Sequence, residues 1–408
     1  MPRFEPFAGL RYQPSSWGSD VSRLDEVIAP PYDVIDQEER DRLAARSLYN
    51  SVRVELPEDD QQQRLDRYQV ASHLMTAWRQ SGVLAQESQP CFYGYRMSFT
   101  DGDGIDRQTT GVIGGLEVGV PGEGDVLPHE RTMPKPKGDR LYLIRACRAN
   151  LSPVWGLSLS QGLTSAIDLD AAPDATAADD EGVIHELWLI QDPADVATIS
   201  KLISSEPVVI ADGHHRFETA LAYAKERREA KHGQPGDYDL VMTFMVELIE
   251  DQLTVRPIHR LITEVGAQVD LPKLLGEHFD MEPWHGRVGG ELIRAMDEKG
   301  GPALLTRNGA FLLRAKPRTV SSAGDDLDSS HLEHALTSLP SHELRYEPSW
   351  SRVASEVQAG PAQAGVLLRP ATVAQIARWA RSRRKMPPKT TFFQPKPRTG
   401  MVFRPVVD

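Results

Sequence analysis

The sequence predicts an α+β protein, a central mixed β-sheet with flanking helices, and three stretches carry that expectation. Val208-Val209-Ile210-Ala211 is a short apolar run, after which Phe217, Ala220, Leu221 and Ala224 recur at helical spacing. A strand therefore passes into a helix through Asp212-Gly213-His214-His215-Arg216. Two aromatic and β-branched runs, 91–99 and 109–118, flank Asp101-Gly102-Asp103-Gly104 as a hairpin. Asn308-Gly309, between Ala303-Leu304-Leu305 and Phe311-Leu312-Leu313, marks a second.

In chain order, Ala29-Pro30-Pro31-Tyr32-Asp33 must be extended or turning, because each proline locks its own φ and restricts the residue before it. Asp36-Gln37-Glu38-Glu39 matches a capping box opening a short helix, and 50–56 alternates like a strand. A helix follows from about residue 65 to 80, with Leu74, Ala77 and Trp78 on its apolar side and Gly82 past its end. The stretch 165–182, rich in Ala and Asp with almost no large apolar residue, reads as an exposed loop or linker. Strands are expected at 185–191, 207–211 and 240–249, and the helix after Arg216 ends near Gly233. At roughly 150 residues per domain, the length suggests two or three units. The divisions expected are an N-terminal αβ region over 1–164, the linker at 165–182, the strand–turn–helix region over 183–265 and a C-terminal αβ region over 266–408.

Composition narrows the function classes. With 40% hydrophobic and 25% charged residues the chain is an ordinary globular protein, and no apolar run approaches the ~20 residues of a membrane helix. No secretory signal is read at the start, and the only cysteines are Cys91 and Cys147, so a cytoplasmic location is expected. A net charge of −12 argues against a general nucleic-acid-binding surface, which would need a basic face. Basic patches remain at Lys135, Lys137, Arg140, Arg145 and Arg148, and at Arg381, Arg383, Arg384 and Lys385.

Asp212-Gly213-His214-His215-Arg216 is the densest chemistry in the chain. Glycine permits a sharp turn, the first amides of a helix lack internal acceptors, and the helix dipole favours an anion there. Gly213, His214 and His215 can offer amides, Arg216 a planar fork, and Asp212 a helix cap or a ligand for magnesium. A second block, Pro128-His129-Glu130-Arg131-Thr132-Met133-Pro134-Lys135-Pro136-Lys137-Gly138-Asp139-Arg140, sets a candidate proton acceptor, Glu130 or His129, beside Arg131, Lys135 and Arg140. The plain alternative is a charged surface loop of paired ions. Tyr32 and Asp33 are candidates for holding a substrate ammonium or hydroxyl, or a prolyl turn with an Asp cap. His259 and Arg260 suit a second wall of the anion site, although a histidine there is more often a hydrogen-bonded core residue. Lys389 and Lys396, around Thr390-Thr391-Phe392-Phe393, suit phosphate as point charges or belong to a solvated tail. No Walker lysine motif and no GxGxxG after the first strand occur.

Eight blocks together resemble the prokaryotic domain of unknown function family 1015. They are 29–35, Asn50-Ser51-Val52-Arg53, His129-Glu130-Arg131-Thr132, Asp139-Arg140, Asn150-Leu151-Ser152-Pro153, 210–220, Pro257-Ile258-His259-Arg260 and Met386-Pro387-Pro388-Lys389, with a departure at Tyr346-Glu347-Pro348 where a Tyr shortly followed by His-Asp is the pattern. Within 29–35 and 50–53 the resemblance marks Tyr32, Asp33 and Arg53 as substrate-binding candidates. More narrowly, Asp212-Gly213-His214-His215-Arg216 resembles the phosphate-binding turn of the ParB/sulfiredoxin superfamily, which includes free-serine kinases. That resemblance implies nucleotide phosphates on the helix start and a carboxylate elsewhere in the cleft activating a substrate hydroxyl.

The expected function is phosphoryl transfer between a nucleotide, ATP or ADP with Mg2+, and a small hydroxylated metabolite, serine or phosphoserine first. A phosphatase or metal-dependent hydrolase of a small phosphorylated metabolite, and a non-catalytic nucleotide-binding switch, are the alternatives. The partners expected are that metabolite and the nucleotide, with no membrane; a homo-oligomer stays open.

Overall fold

The computed structural model describes every residue except 14, 16–22, 103, 121–123, 130–137, 267 and 408. The chain forms two compact units, one of Met1–Pro128, Pro134–Leu253 and Pro395–Asp408, the other of His129–Met133 and Thr254–Gln394. These boundaries run differently from the segments drawn from sequence. In particular 165–182 is no exposed linker: Ile167, Leu169, Ala175 and Ala177 are buried, and Ala175–Ala178 is a strand. Alanines fill a tightly packed edge as well as a loop, so composition alone misplaced it.

The first unit is built on a nine-stranded mixed sheet, the α+β arrangement expected. Its strands are β1 (Phe4–Glu5), β2 (Phe92–Thr100), β3 (Asp106–Glu117), β4 (Val126–Pro128), β5 (Val154–Ser158), β6 (Ala175–Ala178), β7 (Ile184–Ile190), β8 (Val208–Asp212) and β9 (Leu240–Glu247). The order is β4-β8-β5-β9-β3-β2-β7-β6, with β1 on β3. β8 runs parallel to β4, and β9 parallel to β5, while β2 and β3 form the expected antiparallel hairpin.

Flanking helices are α1 (Gln37–Arg46), α2 (Val52–Glu55), α3 (Arg67–Gln80), α4 (Gly138–Cys147) and α5 (His214–Ala230). Asp36 caps α1 by accepting the Glu39 amide at 2.9 Å, and Asp66 with Gln69 forms a full capping box on α3. The alternation at 50–56 misled: Val52 and Val54 are both fully buried, but on one turn of helix. Phe217, Ala220, Tyr223 and Ala224 of α5 pack into the core with Val208 and Ile210 of β8. The last residues are no solvated tail. Arg404 is 1% exposed and donates to the carbonyls of Leu240 and Asp237, while Phe403 bridges to Leu10.

The second unit holds a six-stranded sheet of β10 (His259–Thr263), β11 (Phe279–Trp284), β12 (Ala303–Thr306), β13 (Gly309–Ala315), β14 (Glu343–Glu347) and β15 (Ala364–Leu367). Its order is β11-β13-β12-β15-β10-β14, and β12 and β13 form the expected hairpin, although the two turn residues are Arg307 and Asn308, one earlier than expected, with Gly309 already paired to Thr306. No helix among the described residues is long and apolar enough to cross a membrane.

Candidate functional site

β8 is buried from Val208 to Ala211, and its register against β5 shifts between Ile210 and Asp212. Such a bulge re-aims the side chains at a strand end. Gly213 then takes φ 85°, ψ 26°, the left-handed conformation that a side chain disfavours, and α5 begins at once with no side chain capping it. Strand end, glycine and helix start therefore sit within three residues.

Asp212 is held between two cations. Its Oδ2 accepts from Arg216 Nη2 at 2.7 Å, and its Oδ1 from Lys396 Nζ at 2.6 Å. Burial pushes the Asp212 carboxyl up, but Lys396 and Arg216, aided by His214, outweigh it and hold the pKa down to about 2. Arg216, itself buried, also donates to the Pro153 carbonyl. Burial lowers its pKa, and Asp212, with Asp33, Tyr32 and Glu55, more than reverses that. His214 and His215 are half-buried on the first turn.

On the other flank of Arg216, Arg140 stacks over the Tyr32 ring at 4.4 Å and donates through Nη1 to the Glu55 carbonyl at 2.7 Å and to Glu55 Oε1 at 3.4 Å. Its Nε and Nη2 grip Asp139 Oδ2 at 2.9 and 2.6 Å. Ser152 Oγ donates to Glu55 Oε1 at 3.1 Å. Burial raises the Glu55 pKa against the pull of Arg140, Arg216 and Ser152. Tyr32 is half-buried and Asp33 exposed. Glu55, Arg140, Asn150, Ser152, Arg216 and Thr219 line a cavity of about 50 Å³, and Arg140 also lines an open pocket of about 690 Å³ with Arg40, Glu58 and Arg67.

The family follows from the sequence: the model described as Protein of unknown function (DUF1015) matches residues 4–330. The chain belongs to the DUF1015 family. No curated protein matches it. Among solved structures, this DUF1015 protein is similar to SbnI with C-terminal truncation from Staphylococcus aureus, at 12% identity and TM-score 0.37 over 69% of this chain and 84% of that one. It is similar to a free serine kinase in complex with AMP, at 11% identity and TM-score 0.35, covering 66% and 83%. A conserved hypothetical protein from Pyrococcus furiosus is similar at 12% identity and TM-score 0.34, covering 66% and 87%.

The first unit of the DUF1015 chain thus brings together Asp212, Gly213, His214, His215, Arg216, Arg140, Tyr32 and Asp33. It adds Lys396 and Glu55, the latter on α2, where the sequence pattern predicts a strand. Arg53 is not part of this cluster. Its Nε and Nη2 donate to the Ser47 and Ala44 carbonyls at 3.1 and 2.5 Å, clamping the end of α1. Glu130, Arg131 and Lys135 lie outside the described residues.

The remaining candidates lie in the second unit, where His129, His259 and Arg260 have polar atoms engaged internally. His129 is buried, with Nε2 at 2.6 Å from Thr391 Oγ1. His259 Nδ1 accepts the Leu368 amide at 3.1 Å, and burial together with Arg260 drives its pKa down to about 4. It is a neutral, hydrogen-bonded core histidine. Arg260 donates to the Ile258 and Pro388 carbonyls at 2.6 and 3.1 Å and lies 4.7 Å over the Tyr346 ring. Lys389 is a half-buried turn residue at φ 58°.

Proposed function

We propose that this DUF1015 protein transfers a phosphoryl group between a nucleotide and a small hydroxylated metabolite, with the transferred phosphate seated at the start of α5. The observation that carries this reading is the charge around Asp212. Arg216 and Lys396 supply two positive charges against one carboxylate, a surplus of one. The start of α5 adds roughly half a positive charge and a turn of outward amides. An arriving phosphate competes with Asp212 for both cations. Each charge-assisted hydrogen bond it gains contributes about 1.5–3 kcal/mol.

Both oxygens of Asp212 are engaged by cations, so a magnesium ion bound there has to displace Arg216 or Lys396. Asp212 as it stands does not fit that role, and among the described residues no group of three or more His, Cys, Asp or Glu is placed to hold a metal. The acceptor hydroxyl oxygen attacks the terminal phosphorus, the bridging P–O bond breaks towards the nucleotide, and Arg216, Lys396 and the α5 amides balance the charge on the moving phosphoryl group. The hydroxyl proton passes to a general base or to solvent as the new P–O bond forms. The 690 Å³ pocket on the far side of Arg140 falls in the size range of small-molecule sites and suits the rest of the nucleotide.

Phosphorus NMR of the purified protein with ATP, ADP or CTP, magnesium, and serine or phosphoserine tests the reading. Transfer in the wild type, lost in Arg216→Ala and altered in Asp212→Asn, is expected. Equal turnover in wild type and both variants overturns the site. Phosphate release that needs no nucleotide and stops with chelator makes the protein a hydrolase. Nucleotide binding with a changed oligomer and no turnover makes it a switch.

A further inference from the structure

Glu55 holds a polar atom with no assigned partner. Glu55 is 2% exposed, yet among the described residues only its Oε1 is engaged, by Ser152 and Arg140, while Oε2 is buried without a hydrogen bond. A buried carboxylate oxygen left unpaired costs free energy, so such atoms usually mark a ligand or an ordered water. Glu55 is a wall of the 50 Å³ cavity, and so is Arg216, whose other face holds Asp212 beside the phosphate seat. That volume accommodates a water or two, or one hydroxyl or ammonium group.

Resting on the phosphotransfer reading, we propose that Glu55 is the specificity-determining residue for the acceptor metabolite, its Oε2 accepting a hydrogen bond from the O–H or N–H donor by which that metabolite is recognised. Arg140 explains the arrangement. It grips the Glu55 carbonyl and Oε1 at once, so the carboxylate is fixed with its second oxygen presented on one side only. Asp139 in turn takes the remaining nitrogens of Arg140, so the guanidinium cannot swing to cover Oε2 without losing that pair. Small donor-bearing metabolites fit; a fully methylated or donorless analogue of the same size leaves Oε2 unpaired and is rejected.

Glu55→Gln is the decisive variant. Arg140 is a pure donor, so the amide oxygen must face it, which turns the amide NH2 towards the cavity and sets donor against donor. Binding of serine, and of propionate as the probe lacking both donors, is followed by NMR titration with ADP present. Wild type is expected to prefer serine, and Glu55→Gln to weaken serine roughly tenfold or more while propionate and ADP stay unmoved. Where turnover occurs, KM for the acceptor rises with little change in kcat. Glu55→Asp, keeping the charge, recovers part of the preference, and it carries the test if Glu55→Gln fails to fold. Serine affinity equal in wild type and the variants, a wild type that does not prefer serine over propionate, or a fall in kcat at constant KM overturns the proposal. Serine held through Glu55 without any phosphoryl transfer overturns the transferase reading alone; transfer with an acceptor KM that Glu55→Gln leaves unmoved overturns this one alone.

Discussion

Arg216 and Asp212 face each other across the first turn of α5, Nη2 to Oδ2 at 2.7 Å, so the strand end and the helix start are tied by an i,i+4 ion pair. The pair has opposite expected effects on anion binding. Asp212→Asn raises the local surplus charge and is expected to tighten inorganic phosphate or ADP severalfold while lowering stability by about 2–4 kcal/mol, because two partly buried cations lose their partner. Arg216→Ala removes the surplus and is expected to weaken the same anions about tenfold. Isothermal titration and urea denaturation read both, and a same-sign change in affinity sinks the assignment.

Gly213 carries φ 85°, and a Cβ there meets Arg216 Nε at 2.9 Å. Gly213→Ala is expected to cost about 1–2 kcal/mol for the left-handed backbone. The displaced guanidinium should also weaken ADP binding, more than in the control Gly104→Ala, whose Cβ meets nothing within 4 Å.

Asp212 gives a pH signature. Its folded pKa, about 2, lies below the ordinary value of 3.8, so its contribution is present above pH 4 and is lost as pH falls from about 4 through 2. At about 1.4 kcal/mol per pH unit that is roughly 2 kcal/mol, and Asp212→Asn is expected to flatten the acid limb of a pH–stability curve in that window.

His259 titrates in a different window by the same rule. Held neutral with a pKa near 4 against an ordinary 6.5, it contributes stability above pH 6.5 that declines as pH falls from 6.5 to 4. Imidazole nitrogen shifts should report neutral His259 at pH 5. A protonated ring at that pH contradicts the packing against Leu368.

Lys396 reaches Asp212 from the C-terminal stretch, and Arg404 anchors that stretch. Lys396→Met is expected to weaken ADP binding several-fold and also to lower stability, because Asp212 loses the cation that does most to hold its pKa down. Arg404→Met, which strips the Leu240 and Asp237 carbonyls of their donor, is expected to lower the melting temperature by several degrees and leave affinity intact in the folded fraction.

Much of this was legible locally. The strand, glycine and helix of β8 and α5 follow from an apolar run, a residue tolerant of left-handed backbone, and apolar spacing of three and four. The hairpins follow from alternation and turn residues. Failures came where a local pattern admits two answers: Val52 and Val54 alternate in a strand but also share burial in a single helical turn, and alanine suits a packed edge strand as readily as a loop.

The sequence by itself determined the family, the mixed sheet with its helices, and the turn at which donors gather, because each depends on residues a few positions apart. Only the tertiary structure decided what those donors touch. Lys396 meets Asp212 across 184 residues of chain, and Arg140 meets Glu55 across 85. It also decided that Arg53 serves α1 and that His259 is a core residue. Such pairings are set by how strands order in the sheet and by the cost of burying an uncompensated charge, neither of which any local spacing records.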